Sequence, residues 1–156
     1  MGELETIAGE TETETRVNRI DPALKAAGWD VVEGARIRHE VIAPGRILNG
    51  GRRANAMSAD YVLIYRGQKL AAMEAKRAAI PTAEGVAQAK EYARRLQTRF
   101  AFASNGRTWY EIDTVTGIER DIDGPPSPAE LWERTYGEEN AWRNRFGAIP
   151  FETGGG

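Results

Sequence analysis

The 156-residue chain contains no cysteine and a single histidine, His39. The absence of cysteine excludes disulfides, cysteine-bound zinc, iron–sulfur clusters and a thiol nucleophile, and it suits a reducing compartment. One histidine excludes a zinc site built from two or three histidines. No G-x-S-x-G elbow accompanies His39, so a serine hydrolase is not indicated, and His39 is interpreted as a packed or hydrogen-bonded residue.

Long apolar runs are also missing from the sequence. No segment approaches the roughly 18 consecutive apolar residues that a membrane-spanning helix needs, and the polar, acidic start of the chain is unlike a signal peptide. We therefore expect a cytoplasmic protein. The hydrophobic content of 41% is nevertheless enough for the core of about one domain.

Charge is distributed unevenly, although the formal net charge is only −2. Residues 1–15 carry five Glu and no basic residue, residues 16–110 carry 17 Lys or Arg against 8 acids, and residues 111–156 carry 4 Arg against 10 acids. A basic middle segment is typical of a face that binds a polyanion, although solvated helix and loop faces would give the same pattern.

The hydrophobic periodicity predicts an α/β domain with a mixed sheet flanked by helices. A frayed acidic segment over 1–10 is expected to precede the first helix, which Thr11 or Thr13 would cap. This helix is expected to bury Val17, Ile20 and Leu24, to restart at Pro22 and to end at Gly28. The expected strands are 36–42, 60–65, 69–75, 99–104 and 107–112, with another over 115–120, and the expected second helix is 82–97, capped by Thr82.

Glycine and proline at 124–128 separate a core over 11–123 from a C-terminal extension over 124–150. The extension is expected to form two short helices, around 129–136 and 139–146. The final residues, 151–156, are expected to be a linker.

Two carboxylates are predicted to face each other on the hairpin formed by strands 60–65 and 69–75. With a three-residue loop, Asp60 lies opposite Glu74, and Lys76 follows on the same face. Opposed carboxylates repel, and burial raises that cost, so a cation such as Mg²⁺ is expected between them. Lys76 could then orient or deprotonate a water, or stabilise charge on a phosphate. The alternative is a pair of strand-end acids in which Glu74 pairs with Lys76 or Arg77.

Gln88, Tyr92 and Arg95 share one face of the helix predicted over 82–97. This stripe could border a site, with Arg95 as a DNA-binding residue, or simply be a solvated face with a half-buried tyrosine. The glycine-rich loop over 43–57 carries three further arginines, which could grip DNA phosphates or only solubilise the loop. These arginines are Arg46, Arg52 and Arg53.

Several of these features together resemble a known nuclease family. The pattern D-x13-E-A-K, formed by Asp60, Glu74 and Lys76, resembles the PD-(D/E)XK nuclease core. The pattern Q-x3-Y, formed by Gln88 and Tyr92, is similar to the additional motif of the RecB-like and type I restriction branch. The first helix and the segment 99–113 resemble the corresponding parts of type I restriction enzyme R (HsdR) subunits. The likeness covers about residues 12–113, with Ala59 standing where the family pattern has proline.

The resemblance implies a restriction-endonuclease-like core (αβββαβ) followed by short C-terminal helices. It also implies a Mg²⁺-dependent DNA endonuclease domain, in which Mn²⁺ can substitute. In that family the equivalents of Asp60 and Glu74 bind the metal and Lys76 is catalytic. The equivalent of Glu14 supports the metal site, and Gln88 and Tyr92 match residues near the DNA and the active site.

The implied partners are double-stranded DNA and, through the full-length protein, the methylation and specificity subunits of a restriction complex. The nucleotide-binding pattern G-x4-G-K-[ST] is absent from the sequence, so ATP use is expected only in a motor domain outside it. Two alternatives stay open. One is a catalytically silent nuclease fold that binds DNA or assembles a complex, and the other is the same core in a repair or single-chain defence helicase.

Overall fold

The computed structural model describes the backbone of residues 3–43 and 57–147 and the side chains of residues 4–42 and 57–137. Six strands form one mixed sheet in the order β1-β2-β3-β4-β5-β6. Neighbouring strands are antiparallel except β3 and β4, which are parallel and are joined across helix α4. The strands are β1 (Ala35–Ala43), β2 (Met57–Tyr65), β3 (Gln68–Ala75), β4 (Phe100–Ser104), β5 (Trp109–Asp113) and β6 (Glu119–Ile122). The predicted αβββαβ order is present.

The helices cover both faces of this sheet. They are α1 (Glu3–Gly9), α2 (Glu12–Thr15), α3 (Asp21–Ala27), α4 (Val86–Leu96) and α5 (Pro128–Gly147), with a π-helical turn at Arg16–Ile20 and a 3₁₀ turn at Thr82–Gly85. One face carries large side chains that pack with α3 and α5, including Tyr61, Phe100 and Phe102. The other face carries small side chains, such as Ala72 and Ala101, on which α4 lies.

The N-terminal segment is helical where the sequence predicted a frayed end, so that prediction is wrong. Ile7 of α1 is buried, and the buried Glu10 carboxylate accepts hydrogen bonds from Arg19 and Thr15. The buried Ile7 side chain and the paired Glu10 carboxylate therefore anchor an N-terminal segment that is polar on average.

The first long helical region follows the predicted landmarks but not the predicted stripe. Thr11 caps α2 in a reciprocal capping box, and Gly28 ends α3 with φ of 115°. Pro22, which has no N–H, lies in the first turn of α3. The π-helical turn before it changes the angular spacing of side chains, so Val17 points to solvent with 61% exposure instead of packing beside Ile20.

The β2–β3 hairpin reaches the predicted register by an unexpected route. Its loop has two residues, Arg66 and Gly67, both with positive φ as a tight hairpin turn requires. Tyr65 therefore pairs with Gln68, but a bulge beyond Ile64 restores the pairing of Leu63 with Ala71 and of Tyr61 with Met73. The bulge also turns Leu70 into the large-residue face, where it packs in one cluster with Tyr61 and Leu63.

Two helix predictions are corrected in the second half of the chain. Thr82 does not cap α4, because its hydroxyl bonds Thr108 and the N-terminal residue of α4 is preceded by Gly85. The C-terminal extension forms one helix, α5, instead of two short ones. Gly137 lies within it at a position where a β-carbon would come 2.5 Å from Oε1 of Glu133, so glycine continues the helix there.

Helix α5 is attached to the sheet by a buried ion pair. Both oxygens of Glu111, which is 2% exposed, accept hydrogen bonds of 2.7 Å from Arg134. Arg99 also donates to the carbonyl of Arg134 and pairs with Asp113. These contacts fix α5 over β4 and β5.

Candidate active site

Two buried carboxylates meet near one end of the β2–β3 hairpin. Tyr61 pairs with Met73, and continuing this register by one residue places Asp60 opposite Glu74, as the sequence predicts. Their side chains are 16% and 7% exposed. The backbone N–H of Ala75 donates a hydrogen bond of 2.7 Å to Oδ2 of Asp60, which fixes that carboxylate against β3.

The environment of Asp60 changes its protonation. Burial, followed by the hydrogen bond that Asp60 shares with the carboxyl group of Glu74, raises the pKa of Asp60 to about 7. The Ala75 N–H and the nearby Arg16 guanidinium oppose this rise without cancelling it. Near neutral pH Asp60 is therefore partly protonated, which reduces its repulsion with a nearby carboxyl group.

Helix α4 contributes two side chains to the carboxylate pair. The Tyr92 hydroxyl donates a hydrogen bond of 2.9 Å to Oε1 of Glu74. Burial and the Glu74 charge raise the pKa of Tyr92, so its hydroxyl stays a donor. Nζ of Lys76 lies 3.2 Å from Oε2 of Glu74 and donates a hydrogen bond of 3.0 Å to Oε1 of Gln88. The i, i+4 spacing on α4 thus holds the acid and the lysine at the same time.

Arg16 is a site residue that sequence reasoning missed. Its Nη2 lies 2.7 Å from Oδ1 of Asp60 and 2.8 Å from Oε2 of Glu12, and its Nη1 lies 3.5 Å from Oε1 of Glu40. The i, i+4 spacing of Glu12 and Arg16 was the available signal, but nothing in the sequence indicates a contact with a residue 44 positions away.

Gly85 was also missed, and its importance is steric. A β-carbon at this position would lie 3.0 Å from Cγ of Glu74 and 3.5 Å from Cε of Lys76. The turn at Thr82–Gly85 therefore passes close over both side chains, and a β-carbon at residue 85 would require Glu74 to shift by a few tenths of an ångström. The available signal was a glycine inside a segment predicted to be helical, where glycine is unfavourable.

Glu14 and Arg95, two other predicted site residues, have partners outside the carboxylate pair. Glu14 accepts a hydrogen bond from the Thr11 backbone in the capping box and is exposed, so it is not part of the carboxylate pair. Arg95 bonds Glu91 on its own helix at 2.6 Å. His39 is exposed, with its ring packed on that of Tyr61. Arg46, Arg52 and Arg53 lie outside the described residues.

The donor atoms fit a hard divalent cation. Asp60 and Glu74 offer only carboxylate oxygens, and Mg²⁺ is commonly held by one or two carboxylates together with waters and phosphate oxygens. Burial is the main cause that raises the pKa of Asp60, and a cation at this point would favour its charged form. Within residues 4–42 and 57–137 no three or more acidic, histidine or cysteine side chains are arranged so that they could hold one metal ion together, so waters or substrate oxygens would complete the shell.

The sequence of this chain is similar to that of a type I restriction protein. It shares 36% identity over 145 residues with the endonuclease subunit of the type I restriction enzyme EcoAI from Escherichia coli. The aligned region covers 86% of the chain and 18% of that subunit, so the chain spans less than a fifth of the relative's length. No protein-family model matches the chain.

A solved structure has the same fold. It is a fragment of a protein assigned as an HsdR subunit of a type I restriction enzyme from Vibrio vulnificus YJ016. The TM-score is 0.70 at 29% identity, over 83% of this chain and 26% of that one. In the described part of the chain, no helix is long and apolar enough to span a membrane. Sequence and fold agree, and the chain is an HsdR-like domain with a restriction-endonuclease-like α/β core.

Proposed function

We propose that this chain is a Mg²⁺-dependent DNA endonuclease domain, the cleavage module of a type I restriction R subunit. The observation that carries the proposal is the arrangement around Glu74. One of its oxygens accepts a hydrogen bond from Tyr92 and the other faces Lys76, while Asp60 lies opposite. An incidental pair of strand-end acids does not require a tyrosine from another element to orient Glu74, or a glutamine from that element to hold Lys76.

The proposed reaction is hydrolysis of a DNA phosphodiester. A water oxygen bonds to phosphorus, one P–O ester bond breaks, and the leaving oxygen takes a proton. Mg²⁺ at Asp60 and Glu74 would supply charge for the phosphate and acidify a bound water, a role that Mn²⁺ could also fill. The chain itself holds the ammonium of Lys76 between Glu74 and Gln88, where it can orient the attacking water or stabilise phosphate charge.

Tyr92 has a different task in this proposal. Its hydroxyl occupies one oxygen of Glu74 and leaves the other directed at Lys76. A carboxylate fixed by such a contact loses little rotational freedom when it takes a ligand, so the site is arranged before substrate arrives. Gln88 likewise fixes the position of the Lys76 ammonium by accepting its hydrogen bond. We therefore regard Gln88 and Tyr92 as positioning residues.

The wider assembly follows from the relatives and is proposed here for this chain. The substrate is double-stranded DNA, and methylation and specificity subunits would act through the full-length protein. ATP would be used by a motor domain outside this sequence. We expect DNA binding by the domain alone to be weak, blind to sequence and strongly dependent on salt, because phosphate contacts carry no base readout. Arg46, Arg52 and Arg53 are the proposed phosphate contacts.

Substitution of the central residues in the full-length subunit tests the proposal. Asp60→Asn, Glu74→Gln and Lys76→Ala should each reduce cleavage of supercoiled plasmid by at least about a thousandfold when the other subunits are supplied. Glu119→Gln is the matched control, since it also removes a carboxylate that accepts a hydrogen bond from a tyrosine, Tyr110. Circular dichroism would check that each variant folds. Wild-type cleavage by any one of the three would remove that residue from the mechanism.

A further inference from the structure

The guanidinium of Arg16 occupies the position at Asp60 where a cation is most strongly favoured. Its Nη2 is 2.7 Å from Oδ1, while Oδ2 is already taken by the N–H of Ala75. Arg16 is only 16% exposed, and its guanidinium carbon lies 5.6 Å from the centre of the Tyr61 ring. A positive side chain is thus held against the same carboxylate that the proposed function assigns to the metal.

Arg16 is not fully satisfied in this position. Its Nε is buried and has no hydrogen-bond partner among the described residues. A buried donor without a partner is costly, and a side chain built only to stabilise the fold would be expected to pair all its donors. The guanidinium therefore keeps its contact with Asp60 in a position that leaves Nε without a hydrogen-bond partner among the described residues.

The backbone of β1 is distorted beside the same contact. Residues on either side of Glu40 pair with β2, His39 with Tyr61 and Val41 with Ala59, which places Glu40 across from Asp60. Glu40 itself has φ of 52°, a conformation that is unfavourable for a residue with a side chain. Its carboxylate then lies 3.5 Å from Nη1 of Arg16.

Arg16 consequently has two further carboxylates to hold it when it leaves Asp60. Glu12, one helical turn away, and Glu40 are 48% and 70% exposed. The local charge balance also favours an additional cation, because four carboxylates surround two basic groups. The carboxylates are Glu12, Glu40, Asp60 and Glu74, and the basic groups are Arg16 and Lys76.

We propose that Arg16 is a built-in competitor of the divalent metal: it neutralises Asp60 in the metal-free protein and moves toward Glu12 and Glu40 when a metal binds. This inference rests on the proposed function only in taking Asp60 as a metal ligand. Arg16 is then a positioning residue that lowers the affinity for metal, because a guanidinium and a divalent cation on one carboxylate repel each other. Loss of its charge should strengthen metal binding, whereas loss of an ordinary structural ion pair would not.

Titration of the metal alone provides the test. Mn²⁺ would be added to the DNA-free chain by calorimetry at about pH 8, above the pKa of about 7 of Asp60. We expect Arg16→Gln to bind Mn²⁺ roughly tenfold more tightly than the wild type, and Arg16→Lys, which keeps the charge, to stay close to it. Arg38→Gln is the matched control, since it removes the same charge from an exposed position on β1, and it should change the affinity much less.

Arg16→Met is the second variant if Arg16→Gln folds poorly, because the methionine side chain replaces the apolar stem of the arginine without its charge. Unchanged or weaker Mn²⁺ binding in both variants would overturn the inference, and so would the absence of binding in every variant. If Asp60→Asn abolishes Mn²⁺ binding while Arg16→Gln leaves it unchanged, only the role of Arg16 fails. If Asp60→Asn binds Mn²⁺ like the wild type, the proposed metal site itself is wrong.

Discussion

The hydroxyl of Tyr92 lies 2.9 Å from Oε1 of Glu74, across the boundary between α4 and β3. This contact links helix α4 to the carboxylate of Glu74 on β3. Glu74 follows Ala72 on the same buried face of that strand. Because Tyr92 is itself buried and its pKa is raised, the hydroxyl remains a donor at all accessible pH values. The orientation of Glu74 therefore depends on how α4 packs.

Tyr92→Phe should lower cleavage about tenfold while costing only about 1 kcal/mol of stability, since it removes one hydrogen bond and little volume. Tyr110→Phe is the matched control, because Tyr110 also donates to a glutamate, Glu119, on another part of the sheet. Plasmid cleavage by the full-length subunit and urea unfolding of the domain measure the two effects. Equal cleavage by both variants would show that the Tyr92 contact is only structural.

Gly85→Ala should fold but cleave DNA at least about tenfold more slowly. The backbone at residue 85, with φ of −97°, accepts an alanine, so the cost arises where the new methyl group meets Glu74 and Lys76. Gly124→Ala is the control, since no described heavy atom lies within 4 Å of a β-carbon there. Plasmid cleavage by the two variants is compared after their melting temperatures have shown that both are folded under the assay conditions. Full activity of Gly85→Ala would mean that the two side chains can shift without loss.

The stability of the metal-free domain should fall as the pH rises from about 6 to about 8. The folded-state pKa of Asp60, about 7, lies above its ordinary value of 3.8. The folded chain therefore binds this proton more tightly, and the resulting stabilisation is complete below the ordinary pKa and is lost as the pH passes through 7. Over the whole interval between these two pKa values the effect should be on the order of a few kcal/mol.

The groups near Asp60 in this titration are Glu74 and Arg16, which act directly on its pKa, and Lys76 and Tyr92, which contact Glu74. The acids whose pKa values are lowered contribute with the opposite sign, but their contributions are complete once the pH is well above their ordinary values of 3.8 and 4.5. These acids are Glu10, Glu91, Glu111, Asp113 and Glu119. Urea unfolding of Asp60→Asn should show a flatter profile between about pH 6 and 8, whereas the exposed-site variant Asp121→Asn should follow the wild type. A flat wild-type profile would contradict the raised pKa of Asp60.

Arg134→Ala should destabilise the domain by about 3 kcal/mol, because it leaves the buried Glu111 carboxylate with only Arg120 as an ionic partner. Arg120→Ala, which removes a 56% exposed partner of the same acid, should cost less than about 1 kcal/mol. Urea unfolding at pH 7 measures both. Equal effects would indicate that α5 is held mainly by its apolar contacts, such as that of Leu131.

Local sequence signals predicted the elements of the fold well. Alternation and apolar runs located the first five strands, whereas the strand expected over 115–120 begins only at Glu119. Thr11, Pro22 and Gly28 marked helix boundaries through their own backbone chemistry. The same signals failed where an interaction from elsewhere decided the outcome. The buried Glu10 and Ile7 order a segment predicted to be frayed, and the π-helical turn exposes Val17.

The hairpin shows why a site can be predicted even when its details are not. The loop was predicted with three residues and has two, which alone would have moved Asp60 out of line with Glu74. The bulge beyond Ile64 adds the missing residue back. Because the side-chain period of a strand is two, burial of both faces of this hairpin leaves little freedom in register, and the bulge satisfies that requirement.

The sequence by itself determined which chemical groups are available: two carboxylates and a lysine on one hairpin, and a glutamine and a tyrosine one helical turn apart. Only the tertiary structure decided that Glu14 caps a helix, that Arg95 pairs with Glu91, and that Arg16 and Gly85 join the carboxylate pair. The physical reason is the distance along the chain over which each signal acts. Strand and helix periods fix neighbours along one element, whereas contacts between elements depend on the packing of the whole core.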